Sequence, residues 1–301
     1  MLAVPNCSEG RDLEVVEALT EACRVPGARV LDRHSDPDHD RTVLTIAGDP
    51  MGVQDALFAL AEACLQHIDL RWKRGAHPRV GALDVAPLVV MGPDDELIAA
   101  EVAHGLAERI GWGLGIPVFL YGAIATDPDR VRPHHFRAGG IDGLGDALDR
   151  GEIRPDAGPP RLHPTAGCVL VGVRDPLVAW NVWLPEASVA EARAIADRVR
   201  ESGGGLPGVR AMGWYLPEAG VTQLSMNIEQ PDRYPPWRVM DAVRREADRL
   251  GVRLGDSELV GLVSRRFISG PSPATLGLPR FTAADVLEAQ CPAFRDTTRG
   301  D

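Results

Sequence analysis

The stretch ARVLDRHSDPDHDRTVLTIAGD, residues 28–49, decides the fold class of this chain. It contains two runs of strand-forming residues, and a polar turn rich in Asp separates them. Two such runs joined by turn residues predict a pair of adjacent strands. On either side lie segments whose apolar residues recur at helical spacing, DLEVVEALTEAC at 12–23 and MGVQDALFALAEACLQHI at 51–68.

Further strands enclose these two helices. LAVPNCSEG at 2–10 precedes the first helix, and GALDVAPLVV at 81–90 follows the second. The resulting order, β-α-β-β-α-β, is the ferredoxin-like arrangement. A helix at 95–111 and a strand at 116–125 are predicted to extend this unit.

The second half of the chain repeats the alternation of strand pairs and helices. Residues 150–166 are dense in Pro and Gly and have no hydrophobic period, which indicates an ordered loop or a connector. The elements predicted after it are strands at 167–174, 177–185, 209–217, 221–230 and 257–263, with helices near 188–200 and 236–250. We therefore expect an α/β (α+β) protein of two βαββαβ subdomains, 1–176 and 177–301, with a ligand cleft between them.

Composition narrows the class of protein. The chain has 301 residues, of which 45% are hydrophobic and 25% charged, enough for a sizeable core. A formal net charge of −11 argues against broad binding to nucleic acid or anionic membranes. No long apolar window and no signal peptide are evident, so we expect a cytoplasmic location. The five cysteines are scattered without a CxxC pair, which indicates neither a disulfide framework nor a zinc knuckle.

The first of three candidate sites is the turn within 34–41. Its clustered His and Asp side chains could bind a divalent metal, since both residue types are metal ligands. Asp also nucleates turns, which explains the same residues without a ligand, and a third reading is that the turn holds a cationic ligand group. The side chains concerned are His34, Asp36, Asp38, His39, Asp40 and Arg41.

The second candidate is His77, which lies between a basic run and Pro78, just ahead of a long apolar strand. The neighbouring cations Lys73, Arg74 and Arg79 would disfavour the imidazolium and lower the pKa of the ring. A neutral imidazole near pH 7 is what a general base requires. The alternative is a histidine that caps the loop by bonding a backbone carbonyl.

The third candidate is PDAGPPRLHPTAG, residues 155–167. Its glycines permit close approach of the backbone to a flat ligand, and Arg161 and His163 could meet a carboxylate. A connector of the same composition would need no ligand.

Motifs along nearly the whole chain resemble those of the glutamate formimidoyltransferases. They are VPNCSEGRD, DPDHDRTVLTIAG, GAHPRVGALDVAP, IPVFLYG, PDAGP with PTAG, LVAWNV, VRAMGWYL, QLSMNI and SELVGLV, in that order. The block HPRVGALD at 77–84 is a specific motif of that family. The resemblance implies a stand-alone transferase without the cyclodeaminase domain of the bifunctional enzymes.

The same resemblance implies an activity and a set of site residues. A member of this family moves the formimino group of N-formimino-glutamate to N5 of tetrahydrofolate in histidine degradation, as a homodimer. His77 matches the proposed catalytic base. The segment that matches the family's folate site contributes Gly158, Pro159, Arg161, His163, Pro164 and Gly167.

The chemistry of that reaction suggests further ligands. A cationic amidine would be held by a carboxylate such as Asp36, Asp40 or Asp84, and Arg41 or Arg79 would pair with substrate carboxylates. From the second unit, Asn181 and Asn227 would supply amide donors. The reaction requires no metal.

Several motif positions depart from the family pattern. Where the family usually has Phe, Asn, Glu, Phe and Asn, this chain has Cys7, Asp40, Ala76, Ala157 and Trp183. These differences motivate a rival hypothesis, a paralogue that transfers a one-carbon group to a different amine. Two further hypotheses are a non-catalytic folate-binding module and a metal-dependent amidohydrolase built on residues 34–40.

Overall fold

The computed structural model describes residues 1–73, 75–92 and 94–294, and it divides the chain into two compact units. The first unit is Met1–Asp175 and the second is Pro176–Asp301. Each is built from a β-sheet and helices, so the predicted α/β class is confirmed. The predicted cleft between the units stays a prediction.

The first unit contains a mixed seven-stranded sheet. Strands β1 and β2 are two halves of one broken strand, because each pairs antiparallel with both β4 and β5. With β3 beside β4, these strands form the predicted ferredoxin-like sheet, and β7 and β6 extend it in parallel beyond β5. The strands are β1 (Leu2–Ala3), β2 (Asn6–Cys7), β3 (Ala28–Asp36), β4 (Arg41–Gly48), β5 (Leu83–Val89), β6 (Val118–Gly122) and β7 (Val169–Arg174).

Four α-helices belong to this unit, and side-chain caps fix the starts of the first two. Asp12 accepts hydrogen bonds from the backbone of Glu14 and Val15 at the start of α1, and Asp49 accepts one from Gly52 at the start of α2. The helices bury apolar side chains in one core with the sheet, among them Leu19, Leu57 and Leu60. The helices are α1 (Leu13–Ala22), α2 (Pro50–His67), α3 (Asp95–Glu108) and α4 (Gly140–Asp149).

Helix α4 is absent from the sequence-based prediction. Its sequence GIDGLGDALD contains three glycines, which lower helix propensity and mask the apolar spacing. Leu144 and Leu148 nevertheless face a separate small core with Phe119 and Phe136, whose ring centroids are 5.0 Å apart. This core holds the turn Pro133–Arg137 against the sheet.

The Pro- and Gly-rich segment 150–166 is an ordered loop within the first unit. Val118 donates a backbone hydrogen bond to the carbonyl oxygen of Ala157 over 2.9 Å, and Leu120 donates to Asp156 Oδ2 over 2.7 Å. The chain then enters β7, which lies between β5 and β6. The loop is thereby fastened next to the strands on which the candidate site residues lie.

The second unit has a four-stranded antiparallel sheet with the strand order β11-β8-β10-β9. This is the ferredoxin-like order again, with the first and third strands central. Trp180 and Leu224 point into the core with the helices, whereas Asn181 and Gln223 lie at alternate positions and so on the opposite face. The elements are β8 (Val178–Leu184), α5 (Val189–Val199), β9 (Val209–Leu216), β10 (Val221–Ile228), α6 (Pro236–Leu250), β11 (Ser257–Leu259) and α7 (Leu287–Gln290). Across both units, none of the described helices is long and apolar enough to cross a membrane.

Candidate active site

Asp84, at the start of β5, is the centre of a buried ionic cluster. Its side chain is 0% exposed, and its Oδ2 atom accepts hydrogen bonds from Arg41 Nη1 and Arg137 Nη2, each over 2.6 Å. Its Oδ1 atom accepts from the backbone N–H groups of Val80 at 2.7 Å and Gly81 at 3.2 Å. Burial raises the pKa of Asp84, but Arg137, Arg41 and the Val80 amide outweigh burial and hold that pKa below its usual range.

Arg41 is the first residue of β4, and its guanidinium is nearly fully occupied. Besides Asp84, its Nη2 atom donates to Asn6 Oδ1 over 3.0 Å. Only 6% of the Arg41 side chain is exposed. Burial lowers the pKa of Arg41, and Asp84 opposes that effect. These contacts tie β2, β4 and β5 together beneath the loop that carries His77.

His77 lies on that loop with one ring nitrogen against its own backbone. Its Nδ1 atom is 2.7 Å from the carbonyl oxygen of Pro78, which can only accept, and 3.3 Å from Arg41 Nη1, which can only donate. The contact with Pro78 is the shorter one, so we assign the proton to Nδ1. The Nε2 atom therefore carries the lone pair, and it has no hydrogen-bond partner in the described part of the chain. The side chain remains partly exposed.

The pKa of His77 lies well below its usual value, as predicted, but the responsible cations differ from those predicted. Burial of the ring is the largest cause, followed by Arg41, whose Nη1 is 3.3 Å from Nδ1, and by Arg137. Lys73 is paired with Glu9 instead, and Arg74 lies outside the described residues. Burial and the two arginines bonded to Asp84 thus favour the neutral ring, while Asp84 itself opposes them.

Arg79 joins the His77 loop to the turn at 36–41. Its guanidinium donates to the carbonyl oxygens of His39 at 2.9 Å and Asp40 at 3.3 Å, and it also reaches Asp40 Oδ2 at 3.4 Å. The loop residue Ala76 adds a backbone hydrogen bond to Asp38 over 3.1 Å. Two of the three sequence-predicted sites are therefore parts of one structure.

Within the turn, the carboxylates bind the backbone. Asp36 Oδ1 accepts from His39 N over 2.8 Å, and Asp40 Oδ1 accepts from Gly10 N over 3.1 Å. Asp40 has φ +50°, a left-handed conformation that Asp tolerates better than most residues. Among the residues that the structure describes, no three His, Cys, Asp or Glu side chains form a group able to hold a metal ion.

The 158–167 segment lies directly beside the His77 loop. Ala82 N donates to the Ala166 carbonyl and Cys168 N to the Val80 carbonyl, each over 2.9 Å. His163 Nδ1 accepts from Ala166 N over 3.1 Å, so this ring carries its proton on Nε2. Burial lowers the pKa of His163.

The remaining residues of this segment divide into buried and accessible positions. Gly158 and Gly167 are buried and have φ values of +86° and +68°. Arg161 and Pro164 are exposed, and Pro159 is partly exposed. The glycines shape the loop, and the side chains between them are the ones that a ligand could reach.

In the second unit, the predicted amide Asn181 is buried and bonded. Its Nδ2 donates to Glu258 Oε1 over 3.1 Å, and Gln223 Nε2 reaches the same oxygen at 3.3 Å. Asn227 is exposed on the same face of the sheet. A cavity of about 440 Å³ opens beside Glu258, and Trp183 is among the residues that line it.

Two family models match this chain in a comparison with known proteins. The family model "Formiminotransferase domain, N-terminal subdomain" matches residues 1–174, and "Formiminotransferase domain" matches residues 179–270. The chain belongs to the formiminotransferase family. The resemblance noted in the sequence is thereby confirmed, and so is the expectation of a transferase.

Named relatives of this formiminotransferase chain come from distant organisms. It is 38% identical over 260 residues to a glutamate formimidoyltransferase of Streptococcus pyogenes, covering 86% of this chain and 87% of the relative. A glutamate formimidoyltransferase of Thermoplasma acidophilum is 35% identical, with 95% of each chain covered. The formimidoyltransferase-cyclodeaminase of Rattus norvegicus is 37% identical over 86% of this chain and 49% of its own length.

Four residues of this formiminotransferase chain contribute to the clusters but were missed in the sequence. Asn6, Glu9 and Arg137 lie around the His77 loop, and Glu258 binds Asn181. Asn6 and Glu9 are within the quoted motif VPNCSEGRD, which was a usable signal. Arg137 lies in a segment where no element was predicted, so neither spacing nor pattern indicated it.

Proposed function

We propose that this chain transfers the formimino group of N-formimino-glutamate to tetrahydrofolate, as a step of histidine degradation. The observation that carries the proposal is the state of His77, whose Nδ1 is held by the Pro78 carbonyl and whose Nε2 is free to accept a proton. The names of the two prokaryotic relatives support the same donor.

His77 would serve as both base and acid in this reaction. Bound tetrahydrofolate would supply N5, a secondary amine that adds to the amidine carbon. His77 Nε2 takes the proton released from that nitrogen, which leaves a tetrahedral carbon with three nitrogen substituents. The imidazolium then returns the proton to the amino nitrogen of glutamate as the C–N bond to it breaks, and neutral His77 is regenerated.

The lowered pKa of His77 suits this role. Because the ring is neutral at pH 7, it can accept a proton, and once charged it is a strong acid toward the leaving amine. Arg41 lies 3.3 Å from Nδ1 and favours return of the proton. Burial and the two guanidinium groups thus produce a base that does not remain protonated.

The segment 158–167 fits a folate ligand through its accessible side chains. Arg161 and the Nε2–H of His163 would bind polar groups of the folate, and Pro159 and Pro164 would contact its flat rings. Gly158 and Gly167 would act indirectly by shaping the loop. The hydrogen bonds from this loop to the His77 loop support a folate position within reach of the imidazole.

Of the three carboxylates predicted for the cationic amidine, Asp36 is the best placed. Asp84 and Asp40 are buried and already bonded to several donors, whereas Asp36 is partly exposed. We propose that Asp40 and Asp84, with Arg41 and Arg79, position the loop. Asn181 and Asn227 remain the proposed amide donors of the second unit.

The rival functions receive less support. A non-catalytic folate module would not need a histidine with a lowered pKa and a free Nε2, and the relatives carry the name of the transferase. A paralogue with a different amine rests on Trp183 and the other departures alone. We also propose a homodimer located in the cytoplasm.

A direct assay tests the proposal. Purified protein is mixed with N-formimino-glutamate and tetrahydrofolate, and release of glutamate is measured together with formation of 5-formimino-tetrahydrofolate. We expect the two products in equal amounts and neither product when one substrate is omitted. Glutamate release without tetrahydrofolate would indicate a hydrolase, and no release under any condition would refute the assignment.

A further inference from the structure

Two arginines share one carboxylate oxygen in the cluster around Asp84. Two guanidinium charges against one carboxylate leave one positive charge. The nearby Tyr121 and Cys168 do not offset it, because burial raises the pKa of Tyr121 to about 12 and the pKa of Cys168 well above its usual value. A buried charge without a counterion is costly, so a site of this kind favours an anionic ligand.

The surplus charge is available on Arg137 rather than on Arg41. Arg41 bonds Asp84 and Asn6 and is 6% exposed. Arg137 is 18% exposed, and its described hydrogen bonds consist of the one from Nη2 to Asp84. Its Nε atom is buried and has no hydrogen-bond partner among the described residues. A guanidinium carries five N–H donors, so most of those on Arg137 have no partner within the part of the chain that the structure describes.

The position of Arg137 relative to His77 selects which anion would bind. A chain of short contacts connects the two residues. Arg41 Nη1 is 3.3 Å from His77 Nδ1 and 2.6 Å from Asp84 Oδ2. The same Asp84 oxygen is 2.6 Å from Arg137 Nη2. Arg137 is therefore close to the reacting group. In N-formimino-glutamate the α-carboxylate is one carbon from the reacting nitrogen, whereas the γ-carboxylate is three carbons away. The cationic amidine itself would be repelled by this cluster.

We propose that Arg137 binds the α-carboxylate of the formimino donor and makes the enzyme specific for an α-amino acid. This inference rests on the proposed function. The planar guanidinium can hold a carboxylate through two parallel hydrogen bonds, which orients the donor as well as binding it. Asp84 fixes Arg137 for that purpose, and the core around Phe136 fixes the turn that carries it.

Paired donors test the proposal. N-formimino-γ-aminobutyrate is the same molecule without the α-carboxylate, and kcat/KM is measured for both donors in the wild type, R137Q and R137K. In the wild type, a charge-assisted hydrogen bond to the α-carboxylate should make the ratio of kcat/KM for N-formimino-glutamate to kcat/KM for N-formimino-γ-aminobutyrate about 10 to 100. We expect that ratio to fall close to 1 in R137Q and to an intermediate value in R137K, with the KM for tetrahydrofolate unchanged.

The outcomes separate this inference from the proposed function. If Arg137 had only a structural role, R137Q would reduce kcat/KM for both donors by the same factor, and the ratio would not change. That result would overturn the inference, while transfer by the wild type would still support the proposed function. If the wild type transferred from neither donor, the proposed function would be wrong and the inference with it. R150Q is the matched control, because Arg150 is an exposed arginine paired with Glu152 on the surface.

Discussion

The Nδ1–H group of His77 donates to the carbonyl oxygen of Pro78, its neighbour in sequence, over 2.7 Å. The contact combines the two interpretations that the sequence left open. His77 does bond a backbone carbonyl of its loop, as a capping histidine would, and this bond fixes the tautomer whose Nε2 atom is basic. A structural contact and a catalytic role are therefore compatible here.

The substitution His77→Ala should separate these two contributions. Loss of a general base lowers kcat by about 10²–10⁴-fold. We expect little change in folate affinity, because a base that acts in the transition state adds little to ground-state binding. Turnover and calorimetric folate titrations of the folded protein measure both effects. A lower melting temperature with intact turnover would show that the histidine serves only the loop.

The acid limb of the kcat/KM profile should lie below pH 6.5, the ordinary pKa of histidine. Neutral His77 is the active form, so activity is full above its pKa and is lost as pH falls through that value. Burial, Arg41 and Arg137 lower this pKa, which moves the loss toward more acidic pH. A pH–rate profile measured between about pH 4.5 and 8 locates the limb.

Ala76→Glu should move that limb to higher pH, because a carboxylate next to the imidazole stabilises its charged form. The family usually has glutamate at this position. Ala76→Gln is the matched control, since it adds a side chain of the same length without the charge. If the acid limb lay at the same pH in both variants, a charge at position 76 would have no effect on the pKa of His77.

The sequence predicted the fold better than it predicted the contacts of the site. Strand alternation and helical spacing identified the ferredoxin-like order of both units, because each element has one buried face and one exposed face. Helix α4 was not predicted, because its glycines mask the helical spacing of its apolar residues. Arg137, just ahead of that helix, reaches Asp84 from 53 positions away, and no local pattern encodes a contact of that range.

The electrostatics of His77 show the same limit. A lowered pKa was predicted from the cations next to it in sequence, and the direction is confirmed. Its largest cause is burial of the ring, and the cations that add to it are Arg41 and Arg137, which the fold brings to the ring, while Lys73 is paired with Glu9. Sequence proximity gave the sign of the effect, and only the tertiary structure gave its source.

Gly158→Ala should destabilise the protein through the backbone rather than through folate binding. Gly158 has φ +86°, and a Cβ atom there would lie 2.8 Å from Gly111 Cα and 2.9 Å from the Ile116 carbonyl oxygen. Strain and overlap together should cost roughly 2–4 kcal/mol of unfolding free energy. Gly151→Ala is the control, because Gly151 has φ +70° but open space around it, and should cost about 1 kcal/mol. Urea unfolding measures both free energies, and an equal decrease in the two variants would contradict the role of overlap at Gly158.

Asp84→Asn should be among the most destabilising conservative substitutions in the chain. The carboxylate accepts from two guanidinium groups and two backbone N–H groups, and an amide would point its NH₂ group at one of these donors. Breaking a buried ion pair costs about 3–5 kcal/mol. Asp55→Asn is the matched control, because Asp55 pairs with Arg109 while 48% exposed, and surface pairs contribute about 0–1 kcal/mol.

The pH dependence of stability distinguishes loss of this charge from loss of packing. The pKa of Asp84 is lower in the folded protein than in the unfolded chain, so its contribution is complete above the unfolded value and is lost as pH falls toward the folded one. The wild type should therefore lose stability below about pH 4, and the difference between wild type and Asp84→Asn should shrink there. Unfolding free energies at pH 7 and pH 3 measure this difference, and a gap that stayed constant would mean that the charge of Asp84 does not stabilise the fold.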